Sequence, residues 1–282
     1  MTQPNFSMDP AIIDVAALQN ATQKEIYSFL LEGWNEIQDA NHQRVKEAFS
    51  SGTLKENVPS HISAYCPVHS FCVSNLIGRG KTSVSPFLLI HVYLATHYQD
   101  ISCHYLLFGM NKAVQPMGRA ELFLTYFDKL SHQDRIAMVR YLEENRLSTN
   151  NPSFILKERC EELAFSQGMP LRSFLVFPYV SSIVGKKTIR FSQETIPATL
   201  DTSKASYIWN NNSISARLAY FICTLYNISA DFLFLQDYSD RVVWKGEALS
   251  ADLQTSFSAF LCATKSAQDV AIQNLVQFLL RY

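Results

Sequence analysis

Cys66, His69 and Cys72 stand at the spacing Cys-x2-His-x2-Cys, with His61 nearby. Thiolate and imidazole are zinc ligands, and a structural zinc takes four of them in a tetrahedron. On one helix, positions i, i+3 and i+6 drift around the axis and do not converge. Buried thiols with a surface histidine therefore fit this spacing better than a metal site, and no metal or cofactor is expected. Signatures of catalysis are missing from the sequence. It has no glycine-rich phosphate loop, no Gly-x-Ser-x-Gly elbow and no His-Glu-x-x-His. Charged turns at Arg119–Glu121, Asp134-Arg135, Glu143-Glu144 and Glu161-Glu162 read as solvated surface, and the seven histidines have no carboxylate or nucleophile partner in sequence. An enzyme, with catalytic residues to name, is not the expectation.

The elements that carry these residues are mostly helical by their spacing. Ile26, Phe29, Leu30 and Ile37 repeat at helical intervals, as do Leu122, Phe123, Tyr126 and Phe127, and then Ile136, Val139 and Leu142. Near the end, Ile272, Leu275, Val276, Leu279 and Leu280 share one helix face. Ser131-His132-Gln133-Asp134 and Ser250-Ala251-Asp252 have the form of helix openers. Only 176–190 is β-branched and aromatic enough to suggest a strand. Of the 282 residues, 48% are hydrophobic and 17% charged, which is ample for a buried core and too apolar for a disordered chain. The polar stretch Ser148-Thr149-Asn150-Asn151-Pro152 is the best boundary, giving two halves, 1–150 and 151–282. The fold class expected is all-α.

No run of about 18 apolar residues suggests a membrane span. The opening residues have neither a basic region nor an apolar one, so no signal peptide is read. Six cysteines in largely apolar surroundings suit reduced thiols in a cytoplasm better than a disulfide framework. A cytoplasmic location is expected, where the sequons at Asn211 and Asn227 have no meaning.

A search for repeats is the most informative step. Residues 101–108 read Ile-Ser-Cys-His-Tyr-Leu-Leu-Phe, and 228–235 read Ile-Ser-Ala-Asp-Phe-Leu-Phe-Leu. Each block follows an apolar helical stretch, 87–98 or 217–226. Each stretch follows a Ser-x-Ser opener, Ser83-Val84-Ser85 or Ser213-Ile214-Ser215. Each copy also has a helical tail, near 131–146 and 250–281. The shared order points to two related all-α halves.

The stretch Ser192-Gln193-Glu194-Thr195-Ile196-Pro197-Ala198-Thr199-Leu200, followed by Asp201-Thr202-Ser203-Lys204-Ala205-Ser206-Tyr207-Ile208-Trp209-Asn210-Asn211-Asn212, resembles a Cro-repressor-type (XRE-type) helix-turn-helix domain. So does its close, Ile228-Ser229-Ala230-Asp231-Phe232-Leu233-Phe234. The resemblance covers about 177–237. It departs from the family at Pro197, which removes a backbone donor inside the second helix. It departs again at Asn210, where the family has Glu, and at Asn212, where it has Gly; Asn enters the left-handed region at low cost. A more divergent copy spans about 43–109, with the family's glycine at Gly80 and a second internal proline, Pro59. The fold implied is two tandem repressor-like helical bundles with additional C-terminal helices in each half.

The function implied is sequence-specific binding of double-stranded DNA, as a transcriptional regulator. A recognition helix entering a major groove about 12 Å wide needs short polar or long basic side chains outward. Thr202, Ser203, Ser206 and Tyr207 would reach base edges or phosphates, Lys204 a phosphate, and Gln193 a phosphate at the start of its helix. Lys187 and Arg190 lie just upstream. In the first copy His69, Ser70, Ser74 and Asn75 are the comparable residues, with Arg79 and Lys81 reaching the backbone. Net charge over the whole chain is −1, yet residues 57–99 carry +2 and 179–217 carry +3. Positive charge thus collects where the two modules lie, and phosphate contact supplies most non-specific affinity. The alternative is a degenerate repressor-like module, an adaptor or anti-repressor, that binds protein rather than DNA. Near-zero net charge, the internal prolines, and 19 Phe with 13 Tyr favour it. The apolar face of 268–282 would suit a homodimer contact or packing within its own half.

Overall fold

The computed structural model describes residues 23–50, 101–147, 152–166 and 216–281. In chain order its helices are α1 (Gln23–Ser50), α2 (Cys103–Phe108), α3 (Arg119–Tyr126), α4 (His132–Glu144), α5 (Pro152–Ser166), α6 (Ala216–Leu225), α7 (Ala230–Phe234), α8 (Ala251–Cys262) and α9 (Lys265–Arg281). Short 3-10 turns follow α3 (Phe127–Lys129) and α7 (Ser239–Arg241). The one sheet among the described residues is a hairpin of β1 (Val243–Trp244) and β2 (Glu247–Ala248). The described protein is therefore mostly helical, as the periodicity requires.

These elements gather into two compact units. One holds, of the described residues, 23–50, 101–112 and 216–230; the other holds 113–147, 152–166 and 231–281. Each unit thus takes elements from both sides of the boundary read near residue 150. The packing groups the chain differently from its linear halves, because an apolar face is buried against whichever element covers it.

In the first unit α1 buries a stripe of Leu30, Trp34, Asn41 and Val45 and exposes Glu32, Glu36, Asp39 and Glu47. This stripe follows the helical repeat, but only Leu30 of it was among the residues expected there. The stripe meets α2 and α6. Tyr220 of α6 lies between Trp34 (5.9 Å between ring centroids) and Phe108 (5.3 Å). Gly33 is a helix-interior glycine for a steric reason: a Cβ there would run into the Tyr220 hydroxyl.

The second unit is built on stacked rings. Phe123 of α3 is fully buried and lies 4.7 Å from Phe127 and 4.5 Å from Phe260 of α8. Phe257 and Tyr238 extend the stack, with ring centroids 6.0 Å apart. Burying each such ring stabilises by about 1.5–3 kcal/mol, so this cluster dominates the unit. Helix α4 opens on Ser131, whose hydroxyl accepts the Asp134 N–H at 3.2 Å. Helix α8 opens on Ser250, which accepts the Leu253 N–H at 3.4 Å. Both openers expected from sequence are thus helix caps. The hairpin pairs Val243 with Ala248 and Trp244 with Glu247. Its turn places Lys245 (φ 52°) and Gly246 (φ 90°) in the left-handed region, the geometry of a tight two-residue connection.

Expected faces are corrected on four helices. On α1 Phe29 and Ile37 are only half-buried; on α3 and the turn after it Phe123 and Phe127 are buried, but Tyr126 is half-buried and Leu122 39% exposed. On α4, Leu142 is buried, but Ile136 is 49% exposed and Val139 half-buried. On α9 the buried row is Ala267, Ala271 and Leu275, while Ile272 is half-buried and Val276 exposed. The small side chains of Ala267 and Ala271 let α3 and α4 come close, so contact with those helices sets the face that is buried.

Candidate functional site

The residues expected to touch DNA fall outside the described residues. These are Lys187, Arg190, Gln193, Thr202, Ser203, Lys204, Ser206 and Tyr207 in the second module, and His69, Ser70, Ser74, Asn75, Arg79 and Lys81 in the first. His61, Cys66, Cys72 and the strand suggested at 176–190 lie outside them too. What is described of the first unit is α1, α2 and α6 with the start of α7.

The first closing block forms α2. Ser102, in extended conformation, accepts the Tyr105 N–H at 2.8 Å and donates to Asn111 Oδ1 at 2.8 Å. Gly109 ends the helix in the left-handed region (φ 82°), and its N–H reaches the Tyr105 carbonyl at 2.7 Å. Two of the remaining end carbonyls are taken by α1. Asn41 Nδ2 donates to the Leu106 carbonyl at 2.7 Å, Arg44 Nε to the same oxygen at 3.0 Å, and Arg44 NH2 to the Leu107 carbonyl at 3.0 Å. A cation and an amide thus sit on the negative end of the helix, where both satisfy orphan acceptors.

The second closing block is buried throughout, from Ile228 to Leu235. Asn227 turns the chain with φ 51°, and the Ile228 N–H returns to the Cys223 carbonyl at 3.0 Å. The amide that opens α7, Ala230 N–H, donates to His104 Nδ1 at 3.2 Å. His104 is buried and stacks on Phe108 at 4.3 Å. Burial, with repulsion from Lys112, holds the His104 pKa down at about 3. The ring is therefore neutral, with its proton on Nε2 and a lone pair on Nδ1 for Ala230. His104 and Asp231 occupy the same place in the two repeated blocks. One completes the opposite block's helix; the other, in the second unit, binds Arg241 at 2.7 Å.

The described cations of this frame are engaged. Arg44 is committed to α2, and Lys112 donates to Asn227 Oδ1. Burial lowers the pKa of both. The outer face of α1 carries Glu32, Glu36 and Asp39 at helical spacing, so this face repels phosphate.

The second unit contains an ion network, of which Arg119, Glu161 and Glu162 were read from sequence as solvated surface. Arg159 of α5 is buried, with its guanidinium 5.1 Å from the Phe232 ring centroid and 4.9 Å from that of Tyr238. It pairs with Glu162 at 3.2 Å, and Glu162 also meets Arg119 at 3.5 Å. Arg119 continues to Asp269 of α9 at 3.0 Å, and Lys265 pairs with Glu161 at 3.3 Å. The expectation that Arg119 and Glu162 are merely solvated is corrected, since their side chains are 18% and 11% exposed. Among the described residues the Tyr238 hydroxyl and Arg159 Nε find no hydrogen-bond partner, and burial pushes the tyrosine up to about 12. A guanidinium between two rings needs no chemistry beyond packing to account for it.

Cys103, Cys160, Cys223 and Cys262 are buried thiols that form no disulfide among the described residues, as the apolar contexts suggested. Burial pushes the Cys262 thiol up to about 11 and Cys160 higher still, which makes both poor nucleophiles. Among the described residues no group of three metal-ligating side chains converges, and no helix is long and apolar enough to cross a membrane. No family model matches the chain, and no match is found among curated proteins or solved structures.

Proposed function

We propose that this chain is a sequence-specific DNA-binding transcriptional regulator carrying two Cro-type helix-turn-helix modules in tandem, the second being the principal reader. The supporting observation is the motif from Ser192 to Asn212 followed in sequence by the close Ile228–Leu235, whose residues are buried, 228–230 in the first unit and 231–235 in the second. A module of this type needs its last helix as core, so that the outward face of Thr202, Ser203, Lys204, Ser206 and Tyr207 is held rigid against a groove. The positive balance of residues 57–99 and 179–217 supports the same reading.

The test is a selection of duplexes from a randomised pool, followed by anisotropy titration with Lys204→Ala and Ser206→Ala. Each change weakens binding about tenfold, the equivalent of about 1.4 kcal/mol for a lost base or phosphate contact. Circular-dichroism melts stay at the wild-type midpoint. The wild-type affinity falls with salt, and Lys204→Ala lowers the slope by about one. Unchanged binding in both variants sinks the assignment of the reading helix.

One observation favours a second reading, that of a protein-interaction module. In the described frame Arg44 and Lys112 are both spent on internal bonds, and the outer face of α1 is acidic. Heparin chromatography separates the two, because a protein-binding module elutes at low salt and a DNA reader is retained.

A further inference from the structure

Helix α9 is buried along one row, Ala267, Ala271 and Leu275, with Gln268 beside it. It packs on α3 and α4 of its own unit. The apolar row that the sequence offered to a homodimer is therefore used within the unit. On the outer side Val270, Gln273, Asn274, Val276 and Gln277 are exposed, the two valines at 38% and 39%. Val270, Gln273 and Gln277 stand at i, i+3 and i+7, so they form one seam along the helix, with Asn274 and Val276 to either side of it. No charged residue occurs from 270 to 280. Other solvent faces of the protein are built differently. Helix α1 exposes Glu32, Glu36, Asp39 and Glu47, and α4 exposes Asp134, Arg140, Glu143 and Glu144. A face that meets only water carries charge at little cost, whereas the centre of a protein interface is depleted of it.

The charges that bound this run select the partner. Asp269 precedes it and Arg281 follows it. In a two-fold pair residue i meets j and j meets i. An antiparallel second copy, centred at the height of Leu275, sets position 269 opposite 281 and position 273 opposite 277. Opposite charges then share each end, and at the middle each glutamine amide, which both donates and accepts, faces its own kind. Asp269 binds Arg119 at 3.0 Å, yet its side chain stays 51% exposed and open to a second cation. A parallel copy would instead set the two aspartates side by side. We infer that the outer face of α9 docks the same face of a second copy of this chain, as an antiparallel helix pair. One face of a helix about 25 Å long makes a small interface, so the dimer is weak and forms as concentration rises. The pairing involves the second unit alone and is independent of any DNA binding.

The test is sedimentation equilibrium of the full chain over a hundredfold range of protein concentration. The mean mass rises from 32.0 kDa towards twice that value. Gln273→Lys with Gln277→Lys sets like charges across the seam and weakens the pairing at least about tenfold. Circular dichroism keeps its helix signal, because both positions are exposed and lysine favours helix. Gln273→Glu with Gln277→Glu also stays monomeric alone, and an equimolar mixture of the two double variants regains the dimer. Gln273→Lys with Gln277→Glu in one chain reads the orientation, since it strengthens an antiparallel pair and weakens a parallel one. A mass of 32.0 kDa at every concentration overturns the inference and leaves this face to solvent or to another protein. A dimer that the double lysine variant leaves unchanged overturns it as well, because the contact then lies elsewhere on the chain. Weakening by Gln273→Lys with Gln277→Glu overturns the antiparallel register.

Discussion

The two units solve the same problem with different chemistry. In the first, side chains are spent on helix ends: Asn41 and Arg44 on the carbonyls of α2, and His104 on the opening amide of α7. In the second, Phe123, Phe127, Phe257 and Phe260 stack, and the ion pairs lie around them. Hydrogen bonds to backbone fix where an element ends and at what angle it leaves; ring stacking stabilises more and directs less. The first unit is therefore the one whose stability follows protonation, and the second the one that follows packing volume.

The sharpest break of this comparison is Phe123→Ala. Removing a fully buried ring at the centre of the stack costs about 3–5 kcal/mol. Hydrogen exchange reads this in the amides of α3 and α8 and leaves those of α1 and α6 close to wild type. Equal loss in both sets would show that the stack is not confined to the second unit.

Acid should act the other way. His104 is held neutral in the fold, with a pKa near 3 against about 6.5 in an unfolded chain. The unfolded chain takes up the proton first, so the contribution is whole above pH 6.5 and drains away as pH falls towards 3. By pH 4 the first unit loses about 3 kcal/mol, and protection of the α2 and α6 amides declines before that of α8. His104→Gln removes this slope; an unchanged slope in that variant would place the sensitivity elsewhere. Gly33→Ala acts on the same unit without titrating. The alanine favours helix by about 1 kcal/mol, yet its methyl meets the Tyr220 hydroxyl, and a net loss of about 1–3 kcal/mol in urea titration is expected at all pH values.

What could be read beforehand follows the same division. Ser131 and Ser250 were legible as helix openers because a cap and its helix are neighbours in sequence. The core role of Ile228–Leu235 was legible because the repeat set it beside residues 101–108. Arg119 and Glu162 were not, since the partner that draws each from solvent lies 43 residues away. His104 was missed for the same reason, as its partner amide is 126 residues distant. The hairpin at 243–248 escaped because its strands are two residues each and Lys245, rather than Asn or Gly, takes the left-handed position. On α4 and α9 periodicity gave the right element but the wrong face, because contact with neighbours chooses among apolar positions. The residues proposed to read DNA all lie outside the described residues.

The smallest effect tests whether the second unit is divided evenly between its halves. Ser131→Ala and Ser250→Ala each remove one cap from matched helices and each cost about 1 kcal/mol. Ser131 is the slightly stronger cap by length, at 3.2 Å against 3.4 Å, and its hydroxyl also donates to the Asp134 carboxylate. If α4 and α8 carry equal shares of the second unit, the two losses agree to within about 0.5 kcal/mol, and the double variant shows their sum. Unequal losses would make one helix the scaffold and the other an appendage to it. Ile136 gives that outcome a physical basis: α4 leaves it 49% exposed, whereas α8 buries Phe257 and the run from Ala259 to Cys262.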